Sequence, residues 1–258
     1  MVKFDMHCHT AEGSTDAKVP IVEYIKSLQS YGFGGMLVTD HNSFNGYYSL
    51  EGINIGDFVV LKGIEYDTRD FGHMIVVMPD DTTPEILNHR GMKLARLMKI
   101  VHENGGILGP AHPCGETFLS FFTTGICHYK TIMKREFLPL FDFLEGYNAC
   151  EPQLNNKRAR YLAQKYRIPT FAGSDSHKID CVGLAYTLLP DDIKCNNDLI
   201  KFIKTKPTIR IGGRRYGKTI KDKLGLINKF LVYSFFPYNK CGALVNTRKR
   251  SKADTGIR

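Results

Sequence analysis

The chain has 258 residues, 43% hydrophobic and 24% charged, the composition of an ordinary soluble globular protein rather than a low-complexity one. The net charge of +9 sits at one end: from Lys206 onward there are 14 Lys or Arg against two acids, leaving 21 against 24 in residues 1–205. The body is therefore mildly acidic, and charge arguments about partners belong to a basic extension, residues 206–258. Seven scattered cysteines with no Cys-x-x-Cys pair exclude a zinc knuckle or a dithiol redox motif, and are expected to be reduced and mostly structural. The start Met-Val-Lys-Phe-Asp lacks the apolar run of a secretory signal, so a cytoplasmic location is expected.

The first element, Val2–His7, alternates as a strand and runs into Asp5-Met6-His7-Cys8-His9-Thr10. Side chains two apart share a face, which predicts Asp5, His7 and His9 on one side and Met6 and Cys8 on the other. Two imidazoles on one strand face suit a transition-metal ion. Further extended runs follow at Gly35–Thr39, Phe58–Ile64, His73–Met78, Gly106–Gly109, Phe141–Tyr147 and Pro169–Ala172, with helical patterns at Val19–Tyr31, Thr83–Asn104, Thr131–Leu138 and Leu154–Tyr166. Strand-then-helix order predicts a parallel sheet covered by helices, with chemistry gathered at the carboxyl ends of the strands.

Potential ligands fall at those ends: Asp40-His41, Glu65, His73, His112-Pro113 and Asp175-Ser176-His177 join His7 and His9. Six of the nine histidines are placed this way; His89, His102 and His128 are not, and a solvated or core-edge role is expected for them. Polar residues ending every strand independently would be costly, whereas one shared cation site explains them all. Gly32-Phe-Gly-Gly35 lacks the lysine of a phosphate-binding loop and reads as a helix stop before a strand. No Gly-x-Ser-x-Gly elbow offers a serine nucleophile.

In this order, His7-x-His9 with Asp16, Asp40-His41, Glu65 with His73, His112-Pro113 and Gly173-Ser174-Asp175-Ser176-His177 resemble the motif series of the polymerase and histidinol phosphatase (PHP) superfamily. Glu145-Gly-Tyr-Asn148 resembles the Glu-x-x-Asn strand end of its free-standing phosphoesterase branch. The resemblance spans roughly residues 1–205 and implies a distorted (β/α)7 TIM-like barrel. It implies two to three divalent ions, zinc, manganese or iron: His7, His9 and Asp175 on the first, His73 and His112 on the second, Glu65 bridging those two, and Asp16, His41 and His177 on the third. Glu12 is a nearby substitute for Asp16 in a Gly/Ser/Thr loop. Asp5 and Asp40 are expected to fix histidine tautomers from behind. Glu145, Asn148 and Arg158 are candidate substrate contacts.

The implied chemistry is attack on phosphorus by a cation-activated water, on a small phosphomonoester, a nucleotide or a short oligonucleotide. Two other readings are a nuclease that uses the basic extension to hold nucleic acid, and a non-catalytic metal-binding scaffold. In the extension, Lys218–Leu231 has the spacing of a basic amphipathic helix suited to packing on the barrel, to nucleic acid or to an anionic membrane surface. Thr247–Arg258 is expected to be disordered.

Overall fold

A computed structural model of the protein describes residues 1–115, 120–122, 135–219, 237 and 241–254. The helical patterns at Thr131–Leu138 and Lys218–Leu231 fall largely outside them, as does His128.

The strands are β1 (Val2–Cys8), β2 (Gly35–Val38), β3 (Val59–Thr68), β4 (Gly72–Val77), β5 (Ile107–Pro110), β6 (Leu144–Asn148), β7 (Thr170–Gly173), β8 (Ala185–Leu189) and β9 (Ile211–Gly213). They form a seven-stranded sheet in the order β5-β4-β3-β2-β1-β8-β9 and a β6-β7 pair. The pair closes the curl. Asp142 N–H donates to Leu108 O at 3.0 Å beside β5, and Asp175 N–H donates to His7 O at 2.9 Å beside β1. The ring is thus β1 to β7, the TIM-like barrel that the resemblance implies, and β8-β9 extend it antiparallel to the lower half of β1.

Both seams depend on glycine. A Cβ on Gly109 would stand 2.1 Å from Phe143 O, and one on Gly173 would stand 2.4 Å from His7 N. Backbone cannot retreat from such contacts as a flexible side chain can, so only glycine lets these strands meet.

The sheet is not uniformly parallel as expected: β1-β2, β2-β3 and β6-β7 are parallel, but β3-β4 and β4-β5 are antiparallel. The reason is local. Thr68 Oγ donates to Gly72 O at 2.6 Å and accepts Phe71 N–H at 3.1 Å, making a tight hairpin where a crossover helix would need a dozen residues. Glu65 consequently lies within β3 rather than at its end, and Asp67 pairs across the hairpin with His73.

A second departure concerns β1. Its register against β2 shifts between Asp5 and Cys8, and the extra residue resets the alternation. Asp5 therefore faces Tyr24, and Cys8 packs in the same outer cluster as Tyr24, while Phe4 and Met6 fill the barrel interior. Leu37, Leu61, Ile75, Phe143 and Phe171 complete that interior, with Leu199 and Ile203 packed against it from helix α5 (Asn196–Lys204).

Helices α1 (Ile21–Ser30), α2 (Asn45–Tyr48), α3 (Leu94–Glu103) and α4 (Gln153–Tyr166) complete the body. In α1 the buried set Ile21, Tyr24, Ile25 and Leu28 forms one stripe. Glu12 accepts Ile21 N–H at 3.1 Å, so this carboxylate caps α1 and is not Asp16's substitute at the site. The helix expected over Thr83–Asn104 is divided into a 3₁₀ turn, Glu85–Asn88, and α3. Gly91, at φ +95°, breaks it, donating its N–H to Asp67 O at 2.8 Å.

The C-terminal segment corrects two expectations. Residues beyond Lys206 enter the sheet as β9, so the body does not stop at residue 205. Thr247–Asp254 is helical (α6) rather than disordered, with Ala253 in the α3-side core cluster and Arg250 only 8% exposed. The Arg250 guanidinium donates to Arg90 O and, at 2.7 Å, to Ala243 O. Arg250→Ala is therefore expected to cost about 1–3 kcal/mol and lower the melting temperature by roughly 2–10 °C. Deleting 247–258 should lower it at least as far; calorimetry showing no change in either variant would leave α6 without a structural role.

Candidate metal centre

The strand ends and the β3-β4 hairpin bring Asp16 and six histidines onto one rim around Glu65, a carboxylate only 1% exposed. Its Oε1 lies 3.0 Å from His73 Nδ1 and 3.0 Å from His112 Nε2. Its Oε2 lies 3.5 Å from His7 Nε2 and 3.3 Å from both His9 Nε2 and His41 Nδ1. Asp175 Oδ1 faces His7 Nε2 at 3.6 Å and His9 Nε2 at 3.3 Å. Further out, Asp16 Oδ2 lies 3.2 Å from His177 Nε2 and 3.7 Å from His41 Nε2. Every residue of the nine-member set expected from the sequence is present on this rim.

The donors fit cations. Around an ion at ~2.1 Å, tetrahedral donors stand about 3.4 Å apart; His7 and His9 stand 3.1 Å from each other and each lies 3.3–3.6 Å from a Glu65 and an Asp175 oxygen. Among the described residues, three groups have donor atoms close enough to share an ion: His7, His9 and Asp175; His9, His41 and His177; and His41, Glu65 and His73. His112 and Asp175 also hold the sparsely populated positive φ values of 30° and 52°. Such backbone strain in non-glycine residues clusters at functional sites.

Residues behind the rim set which nitrogen each imidazole turns inward. Glu145 Oε1 accepts from His7 Nδ1–H at 2.9 Å and its Oε2 accepts His112 N–H. Asn148 Nδ2 donates to Glu145 Oε2 at 3.1 Å and Asp175 Oδ2 at 3.0 Å. Both are 1% exposed, so the expectation that they touch substrate is corrected: burial places them beneath the ligands. Asn156, in the first turn of α4, holds Asn148 N–H and O at 2.9 and 3.0 Å. Arg158 stays exposed on α4, and its charge reaches Cys114, two residues beyond His112.

Asp40 acts at one remove. It accepts from Thr10 N–H at 2.6 Å and Ser14 Oγ–H at 2.9 Å, and Ser14 Oγ in turn accepts from His9 Nδ1–H at 3.2 Å. Among the described residues Asp5 touches no imidazole ring. It accepts Ser174 N–H at 2.8 Å and Ser174 Oγ–H at 2.6 Å, tying β7's end to β1, and burial raises its pKa to about 6. Ser14, Ser120 and Asp67 carry no signal that separates them from ordinary loop residues, yet Ser120 Oγ pairs with His112 Nδ1 at 3.0 Å and Asp67 lies among the imidazoles. His89 and His102 pair instead with Glu85 and Asp142, away from the rim, as expected.

Burial alone would neutralise these groups, but their mutual attraction wins. Burial opposes ionisation of Glu65 and Asp175, and the surrounding histidines hold both well below the carboxylate range. Burial likewise disfavours a charged His7, which Glu145, Asp175 and Glu65 keep raised. The rim's carboxylates are thus balanced by imidazole protons, which a cation would displace.

Comparison with known proteins finds the same fold elsewhere. Residues 153–206 match the family described as PHP-associated. No curated protein matches the chain. Among solved structures, PsfC from Pseudomonas syringae is similar with a TM-score of 0.57 and 17% identity, over 91% of this chain and 98% of that one. A two-domain protein from Bacteroides vulgatus containing a predicted PHP-like metal-dependent phosphoesterase gives 0.56 and 15%, over 83% and 65%. Endonuclease Q in complex with a 27-mer duplex bearing an abasic lesion gives 0.56 and 15%, over 87% and 61%. The chain shares the fold of these solved structures, and its match to the PHP-associated family covers residues 153–206.

Two outcomes follow. Burial opposes a charge on His41, but Glu65, Asp67 and Asp16 push it up to about 10. A raised histidine pKa contributes stability that is full below its ordinary value of 6.5 and lost as pH rises through about 10. In chelator, thermal melts should therefore fall between pH 7 and pH 10, and a flat profile would contradict the ion pairing. Glu65→Gln should remove more bound metal than Asp16→Asn, since Glu65 touches five imidazoles and the half-exposed Asp16 two; elemental analysis giving the reverse order would displace Glu65 as the bridge.

Proposed function

We propose that the rim is a three-cation centre that hydrolyses a phosphoester. His7, His9 and Asp175 would hold one ion, His73 and His112 a second with Glu65 between the two, and Asp16, His41 and His177 a third. The observation that carries this reading is the single buried Glu65 carboxylate within 3.5 Å of five imidazoles. Mixed nitrogen and oxygen donors suit zinc, manganese or iron. When bound, such cations bring a water's pKa towards neutrality and draw charge from phosphoryl oxygens.

The chain's own residues supply orientation. Glu145 fixes His7 with Nε2 inward, Ser14 does the same for His9, and Ser120 for His112. With donors prearranged, little reorganisation accompanies the reaction. A side-chain nucleophile is not required. Arg158 is the candidate to meet an anionic substrate at the rim.

A small phosphomonoester, nucleotide or short oligonucleotide is the proposed substrate, acted on in the cytoplasm. A nuclease is the second reading, favoured by the basic composition of residues 206–258 and by the DNA named for the endonuclease with a similar fold. Salt-sensitive substrate binding that weakens when the extension is removed would separate it from the first.

Purified protein of known metal content, assayed against mononucleotides, sugar phosphates and short oligonucleotides, should turn over at least one class. Chelation should abolish that turnover and manganese or zinc restore it. His9→Ala and Asp175→Ala should each lose activity by a factor of 100 or more (~2.7 kcal/mol) together with bound metal. Metal-replete protein inert on every phosphoester would instead mark a binding scaffold.

A further inference from the structure

Asp67 lies outside the ligand set assigned above but inside the cluster. It is 6% exposed, and its Oδ1 stands 3.4 Å from His41 Nδ1 and 3.3 Å from His73 Nε2. Neither Asp67 Oδ1 nor His41 Nδ1 completes a hydrogen bond among the described residues, and the other acceptor near His41 Nδ1 is Glu65 Oε2 at 3.3 Å. The contacts are long and off-line; a small rotation of the rings would complete them, as happens when catalytic hydrogen bonds tighten on ligand binding.

The rest of Asp67 is held in place. Its N–H donates to Asn42 Oδ1 at 3.0 Å, its O accepts Gly91 N–H at 2.8 Å, and Oδ2 faces Arg90 Nη1 at 3.7 Å. Only Oδ1 is left towards the imidazoles. The opposite nitrogens point into the two outer cation positions: His73 Nδ1 lies 3.0 Å from Glu65 Oε1, and His41 Nε2 lies 3.7 Å from Asp16 Oδ2. A neutral imidazole has one lone pair and one N–H, so whichever nitrogen carries the proton decides which can bind metal.

We propose that Asp67 is a positioning residue shared by two cation positions: its Oδ1 takes the N–H of both His41 and His73, turning His41 Nε2 and His73 Nδ1 to different ions. The inference rests on the cation assignment above. It makes a distinctive prediction, because one carboxylate that binds neither ion controls the affinity of both.

Zinc titration of the full chain, followed by calorimetry and elemental analysis, tests it without recourse to activity. Asp67→Ala should weaken two of the bound ions together, by about 10–100-fold each, and leave the one at His7, His9 and Asp175 in place. Asp67→Asn preserves shape and serves if the alanine variant fails to fold. In the zinc-loaded wild type, nitrogen NMR should show His41 protonated at Nδ1 and His73 at Nε2; loss of these tautomers in Asp67→Asn would support the role. Unchanged affinities and tautomers would overturn it, as would weakening of one ion alone, which would make Asp67 a direct ligand. Failure of the wild type to bind zinc would instead count against the cation assignment itself.

Discussion

One buried carboxylate organises this molecule. Glu65 cannot be 1% exposed and ionised without positive charge around it, and five imidazoles supply or share that charge. Those imidazoles come from β1, the turn after β2, β4 and the turn after β5, so the electrostatic need of one side chain is met only if most of the barrel has closed. The strain at His112 and Asp175 and the two glycine seams show how tightly that closure is specified.

The outer layers serve the same end. Asn156 in α4 grips the end of β6, Asn148 there grips Glu145 and Asp175, and Glu145 grips His7. On the opposite side Asp40 and Ser14 tie the turns after β1 and β2 to His9. On the hairpin side Asp67 meets Arg90, whose carbonyl receives Arg250 from α6. A basic segment distant in sequence thus abuts the residues beside His41 and His73.

What the sequence displays is chemistry at the ends of apolar runs. His7-x-His9, Asp40-His41, Glu65, His112 and Asp175-x-His177 are conspicuous because a histidine or acid that ends a buried strand needs a reason, and the rim provides it. Pairing details are hidden for equally physical reasons. The β3-β4 hairpin looks like two ordinary strands until Thr68 is seen holding the turn, and the bulge in β1 leaves no mark on Asp5-Met6-His7-Cys8. Asp67 sits in the polar stretch Asp67-Thr-Arg-Asp70, where composition suggests a solvated turn. Glu145 and Asn148 are visible as functional residues, but whether they face substrate or support ligands depends on burial, which only the closed barrel sets. Helix α6 is concealed by its charge, since Lys and Arg dominate Thr247–Asp254, while Arg250 and Ala253 turn inward.

The central claim is that Glu65 lies between cations. Crystals of the full chain loaded with manganese, measured at the manganese absorption edge, test it directly. The account predicts at least two anomalous peaks at coordination distance, about 2.0–2.5 Å, from the Glu65 carboxylate, one against each oxygen. A map with no peak at that distance from Glu65, in crystals whose protein carries stoichiometric manganese, would contradict it.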